Sequence, residues 1–395
     1  MNILFVEYPH AFFSQQRELI KAGHNVWSTW HTVTSYNESF GIKIMDFGFW
    51  NSWMPENCQP LIDMITEAEI DTVVCGIPWV YWLRDKLPEG VTFLGPTKAA
   101  AELETNKFGT RASAAVLGLN VIPLVAEGRT DALDLTVHTE RPCVLKPKDT
   151  FNPTQVIGQD DDEEMSEICD MMQESEHYDY YIEQFLPNMK LEADVEFIIA
   201  DGKWAITYVG TMKGEAERRT MNVDDAYGPW MSGVTLEPLP ASIEEKVKAF
   251  AKTFLDWAAT LGGNYIGTLD LGVDDNDEVY WIECNVRATA FNCLPCLTSG
   301  DDFMTALTSD PSKYVVDYSD WKLTTIVSNI NNDPRQEYPY ALHAEYNVEV
   351  PNCLLKDGDV YRSYCGAVIL FSKGDLPLEF VTKLTHNGEY GVLSL

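Results

Sequence analysis

Over residues 1–95 short apolar runs alternate with amphipathic stretches. Strand-like runs cover Ile3 to Val6, Asn25 to Ser28, Lys43 to Phe47, Thr72 to Cys75 and Thr92 to Leu94, with helical stretches ending near Ala22-Gly23 and spanning Gln59 to Ala68. This alternation predicts parallel strands joined by helical crossovers. No G-x-G-x-x-G turn follows the first strand, so the dinucleotide fingerprint is missing. The block Gly95-Pro-Thr-Lys-Ala-Ala-Ala-Glu-Leu-Glu-Thr-Asn-Lys107 leads into a helix of small residues that stops at Gly118. Strands are then expected at Pro142-Cys-Val-Leu-Lys146-Pro-Lys148, at Tyr180 to Leu186 and at Glu192 to Gly202. Between them, residues 160–176 are acidic but carry Met165, Ile168, Cys169 and Met172 at helical spacing, so they read as a helix with one solvated face. Ser242 is expected to cap a long helix, with Glu245 completing a capping box, Val247, Phe250, Phe254, Trp257 and Leu261 on its apolar side, and Gly262-Gly263 at its end.

The runs Thr268 to Val273 and Val279 to Cys284 flank the turn-forming cluster Asp274-Asp-Asn-Asp277 and predict a hairpin. Pairing would bring Asp270 near Glu283 and Asn285, which share a face because strand side chains repeat every second residue. On that count Trp281 and Arg287 lie on the face of Glu283 and Asn285, with Tyr280 and Ile282 opposite. Two carboxylates and a carboxamide, without Cys or His, suit a hard cation such as Mg²⁺ rather than zinc. A solvated acidic hairpin would show the same alternation, so the remainder of the chain has to decide between the two.

With 395 residues and 45% apolar content, the chain can bury a large core spread over several domains. Its net charge of −33 and the lack of any Lys/Arg-rich run argue against nucleic-acid polymers and anionic membranes as partners. The start resembles no secretion signal, and no apolar run approaches a membrane span. Nine cysteines at irregular spacing make no disulfide framework; Cys75 and Cys143 fall in apolar runs and are expected as buried free thiols, which points to the cytoplasm. Cys293-Leu-Pro-Cys296 has no second ligand pair and reads as a structural accident rather than as a zinc or redox site.

Taken in order, the 95–107 block, the run Lys213-Gly-Glu-Ala-Glu-Arg218-Arg219 leading to Gly228-Pro229, the strand Ile282-Glu283-Cys-Asn285-Val-Arg287, and Ala344 with Cys365-Gly-Ala-Val-Ile-Leu resemble the ATP-grasp superfamily. More narrowly they resemble glycinamide ribonucleotide synthetase, the phosphoribosylamine–glycine ligase, over most of residues 90–375. The resemblance implies an α/β and α+β multidomain fold: an N-terminal parallel α/β domain at 1–95, an ATP-grasp domain at 96–305 with a lid subdomain in 120–190, and a small C-terminal β-rich domain at 306–395. It implies an ATP-dependent carboxylate–amine ligase that forms an amide through an acyl phosphate, releasing ADP and phosphate. Asp270, Glu283 and Asn285 would hold Mg²⁺, with Mn²⁺ as a substitute, between the β- and γ-phosphates. Lys107, Lys146 and Lys148 would contact phosphates, and Glu183, Gln184, Phe185 and Leu186 would form the hinge that meets adenine. Glu192, with Asp194 or Glu196 as alternatives, would bind the ribose, and Arg287 with one of Arg218 or Arg219 would hold the reacting carboxylate. The partners implied are small molecules, glycine or another amino acid and an amine, bound by a monomer or homodimer.

Two stretches depart from the family pattern. Val6-Glu7-Tyr8-Pro9-His10 and Gly76-Ile-Pro78-Trp79-Val-Tyr-Trp82 offer rings where a sugar phosphate needs donors; these aromatics either fill core or stack on a base or sugar face. The stretch Lys148-Asp-Thr150-Phe-Asn152-Pro153-Thr154-Gln155 has none of the glycines that form an anion nest, leaving side-chain donors to replace them. A different amine substrate, or a nucleotide-binding relative without turnover, is the alternative these departures raise.

Overall fold

A computed structural model describes residues 1–6, 13–29, 41–45, 58–76, 83–129, 143–148, 155–157, 179–186, 189–213, 234–287, 298–315, 321–327, 354–357, 360–363 and 367–373. The chain opens with β1 (Asn2–Val6), α1 (Phe13–Lys21), β2 (Asn25–Ser28), β3 (Lys43–Ile44), α2 (Cys58–Glu67), β4 (Thr72–Cys75) and β5 (Thr92–Leu94). The strands form the expected parallel sheet in the order β3-β2-β1-β4-β5. Both faces are covered, which is why the strands read as nearly continuous apolar runs. Leu4, Val6 and Val73 pack with Leu61 and Ile65 of α2, while Ile3, Phe5 and Val74 join Leu19 of α1 in a second cluster. Of the strand expected from Lys43 to Phe47, Lys43–Ile44 pairs with β2, and residues 46–47 lie outside the described residues.

The single helix expected before Gly118 is two helices, α3 (Lys98–Thr105) and α4 (Lys107–Val116). Asn106 interrupts them: at φ −125 and ψ 70 it leaves the helical region, and its side chain accepts from Gly109 N at 2.9 Å to cap α4. The short Asn side chain competes with the helical backbone for hydrogen bonds, which small-residue content alone does not reveal. Gly118, at φ 78, closes α4 as expected. A four-stranded antiparallel sheet follows, built from β6 (Leu124–Arg129), β7 (Cys143–Pro147), β8 (Gln155–Ile157) and β9 (Asp179–Gln184) in the order β6-β9-β7-β8.

The remaining strands are β10 (Met189–Ala200), β11 (Lys203–Lys213), β12 (Val234–Glu237), β13 (Tyr265–Asp274), β14 (Val279–Asn285), β15 (Trp321–Val327), the β16 (Leu354–Asp357) and β17 (Val360–Ser363) hairpin, and β18 (Ala367–Lys373). Seven of them make an antiparallel sheet in the order β14-β13-β10-β11-β12-β15-β18. Thus β15 and β18, from the C-terminal β-rich part, continue the central sheet.

Helix α5 (Ala241–Ala258) lies on one face of that sheet and buries Ile243, Val247, Phe250 and Phe254 against Val195, Phe197, Leu269 and Leu271. Its start corrects the capping-box expectation: Pro240 occupies the N-cap position with no side-chain cap, and its carbonyl accepts from Ile243 N and Glu244 N. Ser242 therefore sits one step inside the helix, where its hydroxyl is past the cap position. Proline provides a suitable entry because its ring presets φ. Gly262 and Gly263, at φ 80 and 101, end the element. Helix α6 (Gly300–Thr308) contributes Phe303 and Met304 to the cluster of Ile3 and Phe5.

Phe254 is fully buried, with its ring centroid 4.5 Å from that of Trp281. Phe254→Ala is expected to lower unfolding stability by about 3–5 kcal/mol, read as a lower urea midpoint.

Candidate functional site

The site begins with the alternation along β10. Ala193, Val195, Phe197 and Ile199 enter the core beneath α5, so Glu192, Asp194, Glu196 and Ile198 face the other way. Their partners on β13 are Gly272, Asp270, Thr268 and Ile266 in turn. Ile198 and Ile266 pack into the cluster containing Phe5 and Val74 of the parallel sheet. One sheet face is therefore apolar where it meets the N-terminal sheet and acidic further along.

The predicted hairpin is present, with Asp270 opposite Glu283 and Thr268 opposite Asn285. In its turn, Asp277 takes φ 59, and the Asp274 carboxylate accepts from Asn276 N at 2.9 Å and Glu278 N at 2.8 Å. The hydrogen bond from Glu278 is the chief reason that Asp274 titrates below the usual carboxylate range. One feature overturns the expected face pattern. Leu271 pairs with Trp281 rather than with Ile282, so β14 carries a bulge before Glu283. Trp281 consequently enters the core beside Phe254, on the side away from Glu283 and Asn285. Ile282 instead approaches Gly272 on the acidic side: a Cβ at Gly272 would lie 3.6 Å from Ile282 Cδ1, 3.7 Å from Leu186 Cδ1 and 3.1 Å from Met189 Sδ.

Leu186, Met189 and Ile282 thus converge over Gly272, next to Glu192, as an apolar patch whose chemistry suits a flat heteroaromatic ring. Gln184 is still strand-paired to Cys143, and its N–H bonds Pro123 O at 3.0 Å, whereas Phe185 and Leu186 extend beyond β9. Asn285 Nδ2 donates to Asp270 Oδ2 at 3.1 Å. Among the described residues no three His, Cys, Asp or Glu side chains come within metal-ligand spacing. The set brought together is Asp270, Glu283 and the Asn285 carboxamide, and its oxygens suit Mg²⁺.

Cations reach this strand from two directions. Lys107, first residue of α4, bonds Glu283 Oε2 at 3.1 Å, and Lys146 of β7 donates to Ile282 O at 3.3 Å. Burial pushes the Glu283 carboxyl up, but Lys107 and Lys146 outweigh it and hold the group below the usual range. Arg287 donates from Nε to Glu104 Oε1 at 2.8 Å and from Nη2 to Asn285 Oδ1 at 3.2 Å. Lys148 lies farther out, bonded to Glu127 at 2.6 Å and 4.4 Å over the Phe108 ring. Arg218, Arg219, Glu7 to His10, Ile77 to Trp82, the stretch 160–176 where a helix is expected, the 149–154 stretch, Gly228-Pro229, Ala344, Cys293, Cys296 and Cys365-Gly366 lie outside the described residues.

Two residues escaped the sequence reading. Glu104, 4% exposed, accepts from both Val286 N and Arg287 and anchors the end of β14. Arg111 donates to Glu183 Oε1 at 2.7 Å, while Lys146 Nζ lies 2.8 Å from Glu183 Oε2. Glu183, assigned to the hinge, thus has its side chain inside an ion-paired group. The available signal was spacing: Arg111 stands one helical turn after Lys107. Cys75 and Cys143 are buried free thiols, as expected, and no described helix is long and apolar enough to cross a membrane.

No family model and no curated protein matches the sequence. Solved structures do match the fold. An L-amino acid ligase from Bacillus licheniformis superposes at TM-score 0.64 and 14% identity, over 100% of this chain and 98% of its own. The biotin carboxylase domain of a Hydrogenobacter thermophilus 2-oxoglutarate carboxylase, in complex with MgADP, ADP and bicarbonate, does so at TM-score 0.65 and 12% identity, over 94% of this chain and 86% of its own. A Rhizobium etli pyruvate carboxylase matches at TM-score 0.67 and 14% identity over 98% of this chain, which spans only 37% of that longer protein. The chain has the ATP-grasp fold.

Because its cationic neighbours depress the Glu283 carboxyl, the ion pairs it makes contribute stability above the unfolded value of about 4.3 and lose it as pH falls through the lower folded value. The urea midpoints of wild type and Glu283→Gln are accordingly expected to differ most near neutrality and to converge below about pH 4. A gap that stays constant with pH would remove the ion-pair assignment.

Proposed function

We propose that the chain is an ATP-dependent carboxylate–amine ligase that joins an amino acid to an amine and releases ADP and phosphate. The observation that carries this reading is the convergence of Asp270, Glu283 and Asn285 on one sheet face, with Lys107 and Lys146 reaching the same strand. Mg²⁺ held by those three side chains would neutralise charge on the β- and γ-phosphates of ATP. Lys107 and Lys146 then contact phosphate oxygens, and Leu186, Met189 and Ile282 over Gly272 receive the adenine. Glu192 is favoured over Asp194 and Glu196 for the ribose because it is the one of the three paired with Gly272, beside the apolar patch.

Phosphoryl transfer leaves little covalent work for a protein, so the rate comes from position and charge. The substrate carboxylate attacks the γ-phosphorus, ADP leaves, and the amine then displaces phosphate from the acyl group. Arg287, fixed by Glu104 and Asn285, would hold that carboxylate; Arg218 or Arg219 would assist. The amine is assigned to the crevice at the carboxyl ends of β1 and β4, where the strand order of the parallel sheet reverses. The two aromatic-rich stretches that depart from the glycinamide ribonucleotide synthetase pattern begin there, directly after Val6 and Cys75. That supports an amine other than phosphoribosylamine as a companion to the glycine reading. The glycine-free 148–155 stretch favours one further reading, a relative that binds MgATP without turnover.

Incubated with ATP, Mg²⁺, glycine or other amino acids and a panel of amines, the protein is expected to release ADP and phosphate. Asp270→Ala and Glu283→Ala should each reduce turnover roughly a hundredfold or more. Release of AMP and pyrophosphate would exclude the acyl-phosphate route. MgATP binding that both substitutions weaken, with no turnover for any pair, would establish the silent relative.

A further inference from the structure

Arg111, Glu183 and Lys146 form a buried group drawn from α4, β9 and β7. The Glu183 side chain is 1% exposed, Lys146 3% and Arg111 11%. Arg111 Nε donates to Glu183 Oε1 at 2.7 Å, and Lys146 Nζ lies 2.8 Å from Glu183 Oε2. Arg111 is held on its other side by donating from Nη2 to Ile122 O. Lys146 also donates to Ile282 O at 3.3 Å, so its ammonium lies between the four-stranded sheet and β14.

A buried carboxylate needs one cation, and one cation makes the pair neutral. If Lys146 were that cation, its field at a phosphate beside β14 would be largely cancelled by Glu183. Arg111 alters this balance. In the ion pairs themselves Lys107, Lys146 and Arg111 meet two carboxylates, Glu183 and Glu283, so these pairs carry one positive charge in excess beside Asp270, in a setting where charges are weakly screened. We infer that Arg111 is a positioning and charge-compensating residue for nucleotide binding: it neutralises Glu183, so that Glu183 aims Lys146 without cancelling its charge toward the polyphosphate. The helix is built for this, since Lys107 and Arg111 stand one turn apart on α4 and meet carboxylates of β14 and β9. This inference rests on the nucleotide reading of the site.

The test is calorimetric titration of the full chain with MgADP, alongside thermal melts. Arg111→Met is expected to weaken MgADP binding at least about tenfold, as loss of one partner in a buried charged group does. Arg111→Lys should recover most of the affinity. The double variant Arg111→Met/Glu183→Gln should recover it too, because removing the carboxylate returns the positive charge to Lys146. A simple structural staple between α4 and β9 would lower the melting temperature and leave affinity unchanged. Wild-type affinity in folded Arg111→Met, beside weakened binding in Lys146→Met, overturns the inference. So does a folded double variant that binds no better than Arg111→Met, which keeps the test decisive if Arg111→Met itself misfolds. Wild-type affinity in Lys146→Met, Asp270→Ala and Glu283→Ala alike would instead overturn the nucleotide reading.

Discussion

From Leu191 opposite Val273 to Ile199 opposite Tyr265, β10 and β13 hold one antiparallel register. That register separates two chemistries that cannot be mixed. On one face Ala193, Val195, Phe197, Leu269 and Leu271 meet the apolar side of α5; on the other Glu192, Asp194, Glu196 and Asp270 form an acidic strip. A slip of one residue would turn the carboxylates into the α5 core, at a desolvation cost larger than the stability of most domains. The small residues of β13 follow from this arrangement. Gly267 lies against the Phe197 ring, where a Cβ would approach to 2.4 Å, and Gly272 lets Leu186, Met189 and Ile282 close over β13.

An acidic strip on a sheet requires cations, and the chain draws them from elements far apart in sequence. Lys107 and Arg111 arrive on α4, Lys146 on β7 and Arg287 at the end of β14. In a chain with 28 basic residues against 61 acidic ones, this concentration at one place separates the site from the general negative surface. Each cation also joins two structural parts. Lys107 ties α4 to β14, Arg111 ties α4 to β9, and Lys146 ties β7 to both β9 and β14. The side chains proposed to meet the ligand are therefore the same ones whose contacts join the sheets.

Much of this was legible in the sequence. The parallel sheet, the hairpin of Asp270 and Glu283, the apolar side of α5 and the strand ending in Lys146 are all local patterns, set by side-chain period and turn chemistry within a few residues. The misreadings have local alternatives of nearly equal energy. Asn106 breaks a run of good helix formers because its own side chain caps the next helix, and Pro240 opens α5 where Ser242 had the better cap chemistry. The bulge before Glu283 is the consequential case. Strict alternation places Trp281 with Glu283, but the ring of Phe254 accommodates Trp281 in the core, and the extra residue is taken up at Ile282.

By itself the sequence determined which residues carry metal-capable oxygens and phosphate-capable charges, because residue type and period are local properties. Only the tertiary structure decided how those charges are matched. Glu183 reads as a hinge residue in the chain, yet folded it is shared between Arg111 and Lys146; Glu104 reads as one face of a small-residue helix, yet it grips Val286 and Arg287. The physical reason is that a buried charge must find its counter-charge wherever packing brings one, and sequence separation does not constrain that choice.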